Sequence, residues 1–381
     1  MKRSRSISQV IAFGTLALAI SVLFASDSVA QTTPKHKVYF EVYPRQDADM
    51  KEILRQSEDG SGLRVWGYSI KSTRKNNKKT YSGVMVGDDP FIFNTTTTTT
   101  VFVQPVIVQI GSQTFDPTAS DPCIANKVPL TVVKNSPMVK SSHDFKINGV
   151  DMGATQYSDA FQRANFWEIV SLLGGTYHVK LRYKYLAPIT LPADPGSSHL
   201  YDSGNPCSPK YGGVEVNYFK LIEEALLPVL TLKGVKSTNL ALFLLQNTVL
   251  YKDTPDQCCI GGFHSAAGSQ TYGTVDFDTA GFVASDTAIM SHEILEWLDD
   301  PFGNNPTPAW GHVGQQSDCQ KNLEVGDPLT GTNYPAVTMS GFKYHLQELA
   351  FFSWFYGPPS IAAGGLYSDN GTFTSTQPVC H

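Results

Sequence analysis

The segment Ser285–Pro301 constrains the fold more than any other, because its two faces need opposite surroundings. Ser285 or Asp286 can cap a helix that Pro301 must end. At about 100° per residue, apolar side chains gather on one face of this helix. The centre of the other face carries only histidine and carboxylates, namely His292, Glu296 and Asp299, with Glu293 and Asp300 on one flank and Leu295 on the other. The helix therefore has to pack against a core on one side and meet positive charge on the other.

A solvated polar face is the simplest alternative interpretation of this helix, but such a face normally mixes lysine or arginine with its acids. Here there is no cation, and the acids stand at repulsive i,i+3 and i,i+4 spacings. Asp299 and Asp300 also fall at the negative end of the helix dipole, where an acid costs about 0.3–1 kcal/mol. A divalent metal ion would supply the missing positive charge.

His292 and Glu296 stand one helical turn apart, which suits two ligands of one metal ion. The pattern corresponds to a His-Glu-x-x-His helix whose second histidine is replaced, and Glu293 is then the general base. A carboxylate ligand weakens the Lewis acidity of zinc, so we predict Zn²⁺ and keep Ca²⁺ as the alternative.

Further ligands must come from elsewhere in the chain. Glu324 follows Glu296 by 28 residues and is predicted to be the third ligand, with Asp327 orienting His292; these two roles could be reversed. The reserve ligands are His264 and His312, for which loop or packing roles are the alternative.

The amino terminus has the pattern of a secretory signal peptide. Lys2, Arg3 and Arg5 precede the apolar run Val10–Ala25, and small residues end at Ala30, so cleavage is expected before Gln31. We predict a secreted or periplasmic protein without an integral membrane segment in the mature chain. The chain has 29 Lys and Arg against 34 Asp and Glu, which argues against nucleic acid as a partner.

Six cysteines in an oxidising compartment predict disulfide bonds. The spacings contain no C-x-x-C pair, which argues against a cysteine-based zinc site. Cys258 and Cys259 are neighbours, and we expect them to pair with different partners because a bond between neighbours is strained.

Strand-type segments dominate the first part of the mature chain, whereas helical and strand patterns alternate later. Residues 191–209, rich in Pro, Gly, Ser and Asp, are the predicted linker. We therefore predict a signal peptide at 1–30, a β-rich region at 31–205 and a metal-binding region at 206–381. Thr271–Asp278 is a predicted edge strand along which an extended peptide could add.

The order of these motifs resembles that of the phosphate-induced, EXORDIUM-like secreted proteins. The matching positions are Cys259–His264, Ser291–Pro301, Trp310 and Glu324–Asp327. Over the whole mature chain, including Tyr81–Gly87 and Tyr344–Phe355, the sequence resembles a group of uncharacterised secreted bacterial proteins. The helix locally resembles that of zincin metallopeptidases. Trp310 and Tyr344 join Asp300, His264 and His312 as candidates for supporting or substrate contacts.

These features predict an α+β protein with a β-rich amino-terminal half and a zincin-like carboxyl-terminal half, in which a mixed sheet packs against the metal-binding helix. The predicted function is that of a secreted metal-dependent hydrolase acting on an extracellular peptide or protein. The alternative is a non-enzymatic binding or cell-surface module with a structural metal ion.

Overall fold

The computed structural model describes residues 36–45, 49–75, 77–377 and 380. The predicted signal peptide at residues 1–30 lies outside the described residues. The described part is a strand-rich α+β structure, as the sequence predicts. None of its helices is both long and apolar enough to cross a membrane.

The strands are β1 Tyr39–Tyr43, β2 Val65–Lys71, β3 Thr80–Val86, β4 Thr96–Ile110, β5 Gln113–Phe115, β6 His143–Ile147, β7 Val150–Thr155, β8 His178–Tyr185, β9 Ile189–Pro192, β10 Ser198–Asn205, β11 Ser208–Glu215, β12 Asn239–Gln246, β13 Thr248–Tyr251, β14 Cys258–Ala267, β15 Gln270–Phe277, β16 Pro306–Val313, β17 Gln316–Asn322, β18 Asn333–Met339 and β19 Phe342–Gln347. The helices are α1 Met50–Asp59, α2 Pro129–Lys134, α3 Tyr157–Asn165, α4 Trp167–Leu172, α5 Val216–Leu232, α6 Ala288–Asp299 and α7 Phe352–Tyr356. Short 3-10 turns lie at Pro122–Ile124, Asp327–Leu329 and Ala363–Gly365.

Eleven of the described strands form one mixed sheet. Its main path runs β10-β11-β13-β14-β15-β12-β4-β5, while β8 and β9 pair with β4, and β1 pairs with β14. The remaining strands form four two-stranded hairpins: β2-β3, β6-β7, β16-β17 and β18-β19. Strands from both predicted regions therefore belong to the same sheet.

Both faces of the central strand β12 are covered, because successive side chains of a strand point to opposite sides. Leu242 and Leu244 pack in one hydrophobic core with α3 and α6. Phe243 and Leu245 pack in a second core with α5. The sheet thus separates two apolar layers, and α6 lies against β14, β15 and β19 in the first of them.

Two predictions about the chain path are wrong. Residues 191–209 form no open linker: they contain the end of β9, the whole of β10 and the first residues of β11, and β10 and β11 pair antiparallel. Their turn-forming residues make a hairpin instead, so the boundary drawn at 205/206 falls in its turn. The predicted edge strand becomes β15, which is paired on both sides, with β14 and β12, and has no free edge for a peptide.

All six cysteines are in disulfides: Cys123–Cys207, Cys258–Cys259 and Cys319–Cys380. The prediction of disulfides is confirmed. The prediction that Cys258 and Cys259 take different partners is wrong. The other four cysteines form disulfides with each other, across sequence separations of 84 and 61 residues, so these two bond to each other.

Candidate metal centre

The predicted helix is present as α6, and it begins at Ala288 and ends at Asp299, just before Pro301. Its N-cap is Thr287, one residue beyond the predicted cap, while Asp286 accepts a hydrogen bond from the Thr287 amide. The apolar face packs in the core through Ile294 and Leu298. The acidic face is buried too, so it is not a solvated surface.

The segment after β17 lies directly against this acidic face. Glu296 Oε1 accepts hydrogen bonds from the amides of Gly326 at 3.0 Å and Asp327 at 3.2 Å. A Cβ on Gly326 would lie 2.4 Å from His292 Nδ1, so only glycine permits this approach. This contact brings Glu324 and Asp327 close to α6, although both residues follow the helix well downstream in the sequence.

His292 is fully buried, and its two ring nitrogens have different surroundings. Nδ1 lies 3.0 Å from Gln347 Oε1. Nε2 makes no hydrogen bond, although it lies 3.0 Å from Glu296 Oε2 and 3.5 Å from Asp327 Oδ1. An imidazole whose Nδ1–H is held by an acceptor presents the Nε2 lone pair as a ligand.

The residue that orients His292 is therefore Gln347 rather than Asp327. Asp327 faces Nε2, on the same side of the ring as Glu296. Gln347 is fixed in turn by two hydrogen bonds. Its side-chain Nε2 donates to Gly326 O at 2.7 Å, and its backbone N–H donates to Ser291 Oγ at 2.9 Å. No sequence motif marks Gln347, which arrives through β19.

His264 belongs to the same buried cluster. It lies on β14, with Nδ1 3.2 Å from Glu293 Oε2 and Nε2 3.9 Å from Glu324 Oε2. Gly262, two residues earlier on β14, allows the strand to approach α6, because a Cβ there would lie 2.7 Å from Glu293 Cγ. The structure thus brings His264, predicted only as a reserve ligand, to the site.

Burial dominates the electrostatics of the cluster. It raises the pKa of Glu293 to about 7 and that of Asp327 to about 6. It also raises the pKa of Glu324 well above its usual range. For His292, burial alone would lower the pKa, but the charge of Glu296 and the contact with Asp327 raise it well above the usual value. His292 in turn lowers the pKa of Glu296, so in the absence of a metal ion this carboxylate stays ionised beside the histidine while Glu324 holds its proton more tightly than usual.

Two other candidate residues, Asp300 and Trp310, make their hydrogen bonds with backbone groups, although the charge of Asp300 also raises the pKa values of His264 and Glu324. Asp300 is buried and accepts hydrogen bonds from the amides of Asn304 and Asn305, both at 2.9 Å. Trp310 donates to Asn322 O at 2.9 Å, and Asn322 Nδ2 donates to Glu324 Oε1 at 2.8 Å.

None of the contacts that the structure describes for Tyr344 and His312 is with a residue of the cluster. The Tyr344 hydroxyl donates to Val132 O at 2.9 Å. His312 is exposed and lies near the Cys319–Cys380 disulfide, because β16 carries it away from α6.

A cleft of about 840 Å³ reaches the edge of the cluster. Asp327 lines it together with Phe40, Gln315, Lys321 and the Cys258–Cys259 disulfide. The Phe40 ring stacks on the His292 ring at a centroid distance of 3.5 Å, and the Gln315 side chain bonds both the amide and the carbonyl of Phe40. Strand β1 therefore covers His292, while Asp327 gives access from the cleft.

The donor set suits a transition-metal ion better than calcium. Calcium takes oxygen ligands, whereas zinc readily combines imidazole nitrogen with carboxylate oxygen. Two groups of side chains have ligand atoms within 4.8 Å of one another, His264 with Glu293 and Glu296, and His292 with Glu296 and Asp327. The buried Nε2 atoms of both histidines lack hydrogen-bond partners, which a bound ion would correct.

Comparison with protein-family models, with curated proteins and with solved structures gives no match for this chain. The resemblances to the EXORDIUM-like proteins and to zincins stay predictions.

Proposed function

We propose that this protein is a secreted metal-dependent hydrolase that cleaves an extracellular peptide or protein. The observation that carries the proposal is the surroundings of His292 Nε2. This buried atom has no hydrogen bond and faces Glu296 Oε2 and Asp327 Oδ1, in a site that borders a cleft.

His292, Glu296 and Asp327 would hold a zinc ion, with the Nδ1–H of His292 directed to Gln347. Such an ion supplies a Lewis acid and lowers the pKa of a bound water to about 7. Glu293 is the base, because its Oε1 has no hydrogen-bond partner and its pKa of about 7 lets it take and return a proton near neutral pH. Its Oε2 stays engaged with His264.

The disulfides support the proposed export, because disulfides persist in oxidising compartments. The cleft is lined by charged side chains of both signs, Lys252 and Lys321 with Glu41 and Asp256, and by apolar ones, and this mixture suits a peptide.

Burial favours one alternative, a non-enzymatic module with a structural ion. His264, His292, Glu293 and Glu296 are each at most 1% exposed, and the Phe40 ring covers His292. A structural site is closed in this way, whereas a catalytic site keeps a position open for water.

Replacement of Glu293 by Gln separates the two functions. The amide keeps the size and the acceptor oxygen but cannot act as a base at neutral pH, so a hydrolase loses at least about 100-fold in kcat while its metal content stays constant. Turnover would be measured on a fluorogenic peptide library, and metal content by elemental analysis.

The matched control is Glu223→Gln, a fully buried glutamate on α5 that contacts Thr274. It should leave turnover unchanged. A parent protein that holds metal but cleaves no peptide would refute the hydrolase and leave the structural alternative. Full turnover in Glu293→Gln would show that another group is the base.

A further inference from the structure

The two buried histidines of the cluster are held in the same way. His292 directs Nδ1 to Gln347 Oε1, at 3.0 Å, and His264 directs Nδ1 to Glu293 Oε2, at 3.2 Å. In both rings the Nε2 atom is buried and has no hydrogen-bond partner. Metal-binding histidines characteristically give their second N–H to a carboxylate or carbonyl oxygen, which fixes the ring and the tautomer.

Each free Nε2 faces its own carboxylates. That of His292 faces Glu296 and Asp327, at 3.0 and 3.5 Å. That of His264 faces Glu324 Oε2 at 3.9 Å, and this oxygen also has no hydrogen-bond partner. The other oxygen, Glu324 Oε1, is fixed by Asn322 Nδ2, so Oε2 is the atom left for a ligand.

Glu296 lies between the two histidines. Its Oε1 is held by backbone amides of the segment after β17. Its Oε2 lies 3.0 Å from His292 Nε2 and 3.9 Å from His264 Nδ1. Glu296 is also the residue common to both groups of potential ligands in this cluster. Glu296 therefore lies beside both rings, at Nε2 of His292 and on the Nδ1 side of His264, and its side chain also contacts that of Glu324.

The cluster also contains more carboxyl groups than one ion needs. Glu293, Glu296, Glu324 and Asp327 converge in the interior, and every ion pair that they make within the described part of the chain is with a histidine. One divalent cation offsets two carboxylate charges, so with a single ion the other two carboxyl groups must be neutralised by protons or by the histidines, whereas a second ion would let all four ionise.

We propose that the cluster binds two divalent metal ions. His292, Glu296 and Asp327 form the first position, His264 and Glu324 form the second, and Glu296 is shared. The inference rests on the metal site of the proposed function and adds a second ion to it. Two-metal sites, with the ions about 3.5–4 Å apart, activate water in aminopeptidases, phosphatases and nucleases.

The number of ions per chain tests the proposal. The full exported chain would be loaded with Zn²⁺, freed of excess metal and examined by elemental analysis. We expect two ions per chain in the parent protein and one in His264→Ala. Glu324→Gln, which keeps the size of the side chain, should also hold one and covers the case in which His264→Ala does not fold.

His178→Ala is the matched control, because His178 also directs Nδ1 to a buried carboxylate, that of Asp159 at 2.7 Å, but lies outside the cluster. It should keep both ions. Loaded with Mn²⁺, the parent should give the electron paramagnetic resonance spectrum of an exchange-coupled pair, and His264→Ala that of an isolated ion.

One ion per chain, lost in His264→Ala and His292→Ala alike, would overturn the second position and leave the hydrolase standing. No bound ion would overturn both. Two ions in a protein that cleaves no peptide would support the second position and refute the proposed function.

Discussion

Replacing Gln347 by Met tests whether this side chain sets the metal affinity of His292. Methionine keeps the length and volume but removes the acceptor for His292 Nδ1 and the donor to Gly326 O. Loss of a residue that orients a ligand typically weakens metal binding 10–100-fold, about 1.4–2.8 kcal/mol. The buried Gly326 carbonyl also loses its partner, which costs about 1–3 kcal/mol of unfolding free energy.

The two effects are measured separately. Zinc affinity comes from titration against a competing chelator, and the unfolding free energy comes from urea denaturation in excess chelator. Gln162→Met is the control, because Gln162 is equally buried and donates to Asp299 at the end of α6 without touching His292. It should lose similar stability and keep its zinc affinity. Equal zinc affinity in both variants would refute the orienting role of Gln347.

Three further predictions follow from the site and the disulfides. Gly326→Ala should lose bound metal and lower the melting temperature, because its Cβ would overlap the His292 ring; elemental analysis and calorimetry measure this. Zinc affinity should continue to rise as the pH increases above 6.5, the ordinary pKa of histidine, because the raised pKa of His292 lets protons compete with the ion there. Calorimetric titration at several pH values would contradict this if the affinity stayed constant. The double variant Cys123→Ala/Cys207→Ala should lose about 2–5 kcal/mol of unfolding free energy in urea denaturation, because the bond between these cysteines closes a loop of 84 residues.

Local periodicity predicted the part of the site that lies on one helix. His292, Glu293 and Glu296 share a face because of their spacing alone. The lack of cations on that face argued against a solvated surface, and the structure buries the face. Glu324 and Asp327 were placed by their spacing in the chain, and the structure brings both to the helix.

The rest of the site depends on pairing between distant strands. Gln347 arrives with β19 and His264 with β14, and no local pattern shows which strands lie against α6. Gly262 was the available signal for His264, since glycine within a strand often marks a close approach. The same limit applies to the fold: the composition of residues 191–209 identified turns but could not show that the flanking segments pair.

The cover over His292 has a consequence for the order in which the site assembles. Phe40 is made early, but Gln315, which holds it, follows 275 residues later, and Ser265, which bonds Tyr43 O, follows 222 residues later. Contacts between such distant residues carry a loop-closure cost that slows their formation. Gln315 is followed within 12 residues by Glu324 and Asp327, so the residues that hold the cover and the carboxylates beneath it become available together, and neither part of the site can form before nearly all of the chain is present.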